Sequence, residues 1–94
     1  MSKVVNAAVE RLNEKIGSFG STAKFVIEDE GAIMIDGDGA RAGDEEAEVT
    51  LHASRETFEG ILSGDVNPAT AFMTGKLKVD GNMGVAMQLG QALS

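Results

Sequence analysis

A chain of 94 residues has room for one domain with a modest core, and 43% hydrophobic content is ordinary for a globular protein, which sets wholesale disorder aside. With no cysteine and one histidine, His52, a disulfide framework, a thiolate metal site and a two-histidine zinc site are all excluded. A formal net charge of −7, with eight basic residues scattered along the chain, argues against nucleic acid as a partner and weakens electrostatic docking to anionic membranes.

No apolar run approaches the roughly 18 residues that cross a bilayer. Glu10 and Arg11 fall where a signal peptide would need its apolar centre. Val5, Ala8, Val9, Leu12 and Ile16 recur at helical spacing, so residues 2 to 16 are expected as an amphipathic helix packed on a sheet and ended by Gly17.

Phe25 and Ile27, alternating with Lys24, Val26 and Glu28, make a first strand. Ile33 and Ile35, alternating with Met34 and Asp36, make a second, and Asp29-Glu30-Gly31 is the hairpin turn between them. Val26 and Met34 point away from the isoleucine face, so the outer face is expected to be partly covered.

Asp36-Gly37-Asp38-Gly39 invites a calcium reading. An EF-hand loop needs Asp or Asn at its fifth position, Gly at its sixth and Glu at its twelfth; counting from Asp36, this chain offers Ala40, Arg41 and Ala47, so a glycine-rich turn is expected instead. Asp44-Glu45-Glu46 repel one another and read as a solvated loop rather than an acid/base pair, which would need two carboxylates at a fixed separation in a cleft.

Val49, Leu51 and Ala53 alternate with Glu48, Thr50 and His52, which puts His52 on the more polar face of a third strand, with no catalytic motif around it. Ser54 caps a helix whose Phe58, Ile61 and Leu62 share a face while Glu56 and Glu59 turn away, and Gly64 stops it. Asn67-Pro68 opens a short helix through Ala69, Ala71, Phe72 and Met73 that ends at Thr74-Gly75. Lys76-Leu77-Lys78-Val79-Asp80 alternates as a strand with one buried face.

Gly81 then turns the chain and Asn82 caps a last helix running toward Leu93. In it Met83, Ala86, Met87 and Gly90 form one stripe, and Val85, Leu89 and Leu93 form a second beside it. A helix packed on a single sheet needs an apolar face of roughly 100°. This wider face therefore has to meet a neighbouring helix, a second subunit or an apolar ligand.

The run Ala71-Phe72-Met73-Thr74-Gly75-Lys76-Leu77-Lys78-Val79-Asp80-Gly81-Asn82-Met83, with Ala86-Met87-Gln88-Leu89 after it, resembles the signature of the sterol carrier protein family. Ala47-Glu48-Val49-Thr50-Leu51, Ser54, Phe58 and Ile61-Leu62-Ser63-Gly64 are similar to the strand and helix that precede it in that family. The resemblance covers roughly residues 20 to 94. It implies a lipid-binding domain in which helices cover a mostly antiparallel sheet and enclose an apolar tunnel.

The expectation is one α+β domain over residues 1–94, with helices on one face of a mainly antiparallel sheet and an apolar tunnel or pocket. The lipid-lining residues expected from the sheet are Ile33, Ile35, Leu51, Leu77 and Val79. From the helices they are Phe58, Leu62, Phe72, Met73, Met83 and Met87, with Met83, Met87 and Leu89 as a movable lid. Five methionines, Met1 among them, in a chain without Trp or Tyr suit a lining that adapts to different lipids.

An empty cavity of about 300 Å³ would cost roughly 7 kcal/mol, against a domain stability of about 5 to 15 kcal/mol, so a large dry void is not affordable in so small a chain. The function expected is non-enzymatic binding and intracellular transfer of a sterol, fatty acyl or phospholipid-like ligand, with no cofactor and no metal. Partners would be the lipid, a membrane in transient contact, and a second copy in a homodimer, but not nucleic acid. The alternative is a noncatalytic dimerisation or accessory module with a collapsed pocket. Ala92-Leu93-Ser94 lacks the basic middle residue of a Ser-Lys-Leu peroxisomal address, which makes the cytoplasm the expected location.

Overall fold

The computed structural model describes residues 3–93. The Met1 methionine, the Ser2 start of the expected first helix and Ser94 lie outside the described residues.

The first helix, α1 (Lys3–Lys15), buries Val5, Ala8 and Leu12 along one stripe, and Ile16 just past it is also buried. Alternation then gives β1 (Ala23–Ile27) and β2 (Gly31–Asp36), turned through Asp29 at φ 64°. Their register sets Phe25 against Ile33 and Ala23 against Ile35, so the large side chains share the inner face.

A strand follows where only a turn was expected. Residues Gly39–Ala42 form β3, antiparallel to β2, with Ala40 opposite Ile35 and Ala42 opposite Ile33. Small side chains gave no periodic signal there, and the strand is held by its partners. The Asn13 side chain of α1 accepts from Ala40 N (2.8 Å) and donates from Nδ2 to Ala40 O (2.9 Å), occupying the free edge of the backbone. Gly39, at φ +100°, admits this approach, because a Cβ there would lie 2.5 Å from Asn13 Oδ1.

From β3 the chain crosses the outer face of the sheet. Asp44 meets Lys24 at 2.8 Å, Glu45 lies 3.8 Å from Arg41, and Glu48 bonds Thr22. The carboxylates of Asp44 and Glu45 stay largely exposed, but they pin a strap over the outer face instead of merely projecting into water. Beneath the strap Met34 is buried, which accounts for an apolar residue on that side.

The strap delivers β4 (Val49–Ala53) parallel to β1, with Leu51 opposite Phe25. Then come α2 (Arg55–Ser63), capped by Ser54 Oγ and ended at Gly64, and α3 (Pro68–Met73), capped by Asn67 Oδ1 on Ala69 N and Thr70 N. β5 (Leu77–Gly81) pairs antiparallel with β4, and α4 (Met83–Leu93) ends the described chain. The strand order is β3-β2-β1-β4-β5, mainly antiparallel with one parallel pair at its centre.

All of these helices pack on the inner face: α1 over β2 and β3, α2 through Phe58 against Phe25, α3 against β5, and α4 across β1, β4 and β5. A continuous core runs between them and the sheet.

Candidate binding groove

The start of α4 is set by backbone geometry. Gly81 has φ +112°, and a Cβ there would lie 2.5 Å from the Glu48 carbonyl oxygen, so only glycine lets β5 turn this close to β4. Asn82 N then donates to that same oxygen (2.9 Å), and Asn82 Oδ1 caps the helix by accepting from Val85 N (3.2 Å).

Fixed at that end, α4 presents its two apolar stripes differently. Val85, Leu89 and Leu93 are buried in the core. Met83 and Met87 remain 45% and 65% exposed. Opposite them on α3, Phe72 is 44% and Met73 84% exposed. Between the two helices opens a groove of about 430 Å³. Its floor is Phe25, Leu51, Leu77 and Val79 from the sheet, and Ile61 of α2 closes one side.

The groove has almost no polar chemistry. Neither α3 nor α4 contains a charged residue. Asn67 and Gln91 are the polar side chains in its lining, and the Asn67 carbonyl oxygen is already taken by the amides it caps. The shifted titrations lie elsewhere: the hydrogen bond from Arg41 holds the Asp36 carboxyl below the usual carboxylate range, and the bond to Glu59 raises Arg55. Among the described residues, no group of three or more His, Cys, Asp and Glu side chains could hold a metal ion. His52 faces outward on β4, opposite Lys78 of β5.

Of the residues expected to line a lipid site, Leu51, Phe72, Met73, Leu77, Val79, Met83 and Met87 come together around this groove. Ile33 and Ile35 do not: both are fully buried at the β2 side of the sheet, which α1 covers. Phe58 is also fully buried, its ring 4.3 Å from that of Phe25, and with Leu62 it borders a second hollow of about 440 Å³ between α1 and α2, rimmed by Lys3, Arg11 and Arg55. Leu89 lines the groove only with its buried side and anchors α4.

Ile61, Pro68, Ala69 and Leu93 complete the groove without having been singled out for it. The one signal for Ile61 was its place a helical turn after Phe58, on the side that leads toward α3.

A mainly antiparallel sheet with its helices on one face and an open, uncharged groove under the last of them defines a small α+β domain whose core is accessible from one side. The chain belongs to the SCP-2 sterol transfer family, whose profile matches residues 3–94. It is 36% identical over 77 residues to sterol carrier protein 2 of Gallus gallus, a match covering 80% of this chain and 13% of that protein. The solution structure of sterol carrier protein domain 2 of Helicoverpa armigera superposes with a TM-score of 0.72 at 28% identity, covering 97% of this chain and 83% of that one. The fold also matches sterol carrier protein 2 of Aedes aegypti in complex with the C16 fatty acid palmitate, at TM-score 0.78 and 17% identity, covering 100% of this chain and 97% of that one. The chain spans 8–13% of the length of the curated relatives it matches. No described helix is long and apolar enough to cross a membrane.

Proposed function

We propose that the chain is a non-enzymatic lipid carrier that takes an apolar chain of a sterol, fatty acyl or phospholipid-like ligand into the groove under α4 and releases it unchanged. The observation that carries this reading is the division of α4, with one stripe buried in the core and the other open over an uncharged groove. Membership of a sterol transfer family and the palmitate complex of a protein with the same fold support it.

The magnitudes are adequate. About 0.8 kcal/mol per CH2 taken from water gives a chain of about 16 carbons roughly 12 kcal/mol of gross drive before ordering costs. A volume of about 430 Å³ falls in the lower part of the range for ligand sites, about 300 to 1,000 Å³. No cation lines the groove, so the tail enters while a polar head stays at the mouth beside Gln91. The lining has no acid, base or nucleophile, which supports carriage over catalysis.

The test is to strip purified protein with organic solvent, analyse the extract by mass spectrometry, and titrate the stripped protein with a fluorescent fatty acid. The reading predicts co-purifying lipid or saturable uptake at one site per chain. Absence of both would overturn it.

A second reading, an accessory or dimerisation module, is favoured by the exposure of Met73 and Met87 and by the short share of its relatives that the chain spans. Light scattering separates the two: a dimer that splits with Met87→Asp, in a parent that takes up no lipid, supports the module.

A further inference from the structure

Phe72, Met73, Met83 and Met87 stand at the rim of the groove, more exposed than any other large hydrophobic side chain among the described residues. They form one patch, shared by two helices with no charged residue on either. Charge is divided along the chain in the same sense. Residues 1–65 hold six basic and fourteen acidic side chains, a net −8, whereas beyond residue 65 the only charges are Lys76, Lys78 and Asp80, a net +1. The chain therefore divides into an acidic part and a nearly neutral part whose two helices carry no charge.

We propose that the α3–α4 rim is a docking face for a zwitterionic bilayer surface, with the side chains of Met73 and Met87 entering the interface so that the groove opens into the lipid. The proposal rests on the lipid-carrier reading and assigns it a route of exchange. Met73 and Met87, at 84% and 65% exposed, are flexible apolar side chains of the kind an interface accepts without ordering a rigid partner surface. Continuity matters as much: the patch is the mouth of the groove, so a lipid tail passes from bilayer to floor without crossing water.

Charge selects a neutral surface over an anionic one. The net −8 of residues 1–65 is repelled by anionic headgroups but not by a zwitterionic surface, and Lys76, in the turn after α3, suits headgroup phosphates. A second copy of the chain is a poorer occupant. Each chain carries a net −7, so two copies repel as they approach, whereas a zwitterionic surface offers no net charge to oppose the approach.

Because the chain has no cysteine, one introduced thiol carries one probe. An environment-sensitive fluorophore is placed on M73C or M87C, with K15C and H52C as controls on α1 and the outer sheet face, and each is mixed with phosphatidylcholine vesicles. The expected result is a blue shift and quenching by brominated acyl chains at Met73 and Met87, none at the controls, and partitioning that weakens when phosphatidylserine is added at low salt. The Met73→Glu/Met87→Glu double variant, checked for fold by circular dichroism, should partition at least about tenfold more weakly.

Probes that stay unshifted at both rim positions overturn the proposal, as does penetration at Lys15 instead, or binding that requires phosphatidylserine and is lost in salt. A blue shift without vesicles that grows with protein concentration also overturns it, because a second copy then covers the face. Fatty acid uptake in vesicle-free buffer is read separately, so failure of the carrier reading is not confused with failure of docking.

Discussion

The carboxamide of Asn13 lies edge-on to Ala40, exchanging two hydrogen bonds with that residue's backbone at 2.8 and 2.9 Å and so fastening α1 to the free edge of the sheet. The contact ties residues 27 apart in sequence and satisfies both backbone groups that β3 would otherwise turn outward. Asn13→Ala leaves Ala40 without either partner and should lower stability by about 1 to 3 kcal/mol, read as a lower urea midpoint at unchanged slope. An unchanged midpoint would mean that α1 is held by its apolar stripe alone.

On the same hairpin, the Asp36 carboxylate accepts from Arg41 Nη1 at 2.6 Å and from Asp38 N at 3.0 Å. The Arg41 bond is the larger cause of its depressed titration. A carboxyl depressed in the folded state stabilises fully above its unfolded value of about 3.9, and that contribution is lost as pH falls through the lower folded value. Arg41→Ala should therefore raise the Asp36 midpoint toward the ordinary range, read by carboxyl NMR titration, and reduce the loss of stability along the acid limb.

The two stripes of α4 should respond oppositely to truncation. Leu89 is fully buried, so Leu89→Ala should cost about 2 to 5 kcal/mol. Met87 is 65% exposed, so Met87→Ala should change stability by less than about 0.5 kcal/mol. Thermal or urea unfolding of the pair decides it, and equal costs would show that the Met87 stripe is covered.

Gly90 offers a graded test of the groove itself. A Cβ there meets Pro68 Cβ at an ordinary 3.8 Å, so Gly90→Ala fits and should stabilise the helix by about 0.5 to 1 kcal/mol. Gly90→Phe places a ring in the space between α3 and α4 and should weaken fatty acid uptake at least about tenfold, measured by fluorescence titration.

Much of this architecture was legible because local chemistry and tertiary structure agree. Ser54, Asn67 and Asn82 cap the helices they precede, and strict alternation marks β1, β4 and β5. β3 was not legible, since Gly-Ala-Arg-Ala has neither bulk nor period, and its conformation is imposed by β2 and by Asn13. The parallel pairing of β1 with β4 was equally hidden, being a choice between distant segments.

The groove was half legible for a related reason. Alternation marks which side chains face inward but not which helix covers them. Ile33 and Ile35 share a face with Leu77 and Val79, yet α1 closes over the first pair and α3 and α4 stand apart over the second. Phe58 and Ile61 divide likewise, one turn of α2 directing the first toward Phe25 and α1 and the second toward the groove.

The most direct test is a backbone NMR titration of the stripped protein with palmitate. Binding in the groove under α4 predicts saturable shifts at Leu77, Val79, Phe72 and the Met83–Met87 turn of α4, with α1 and its hollow against α2 unmoved. Saturable shifts confined to the α1–α2 hollow, or none that saturate, would contradict it.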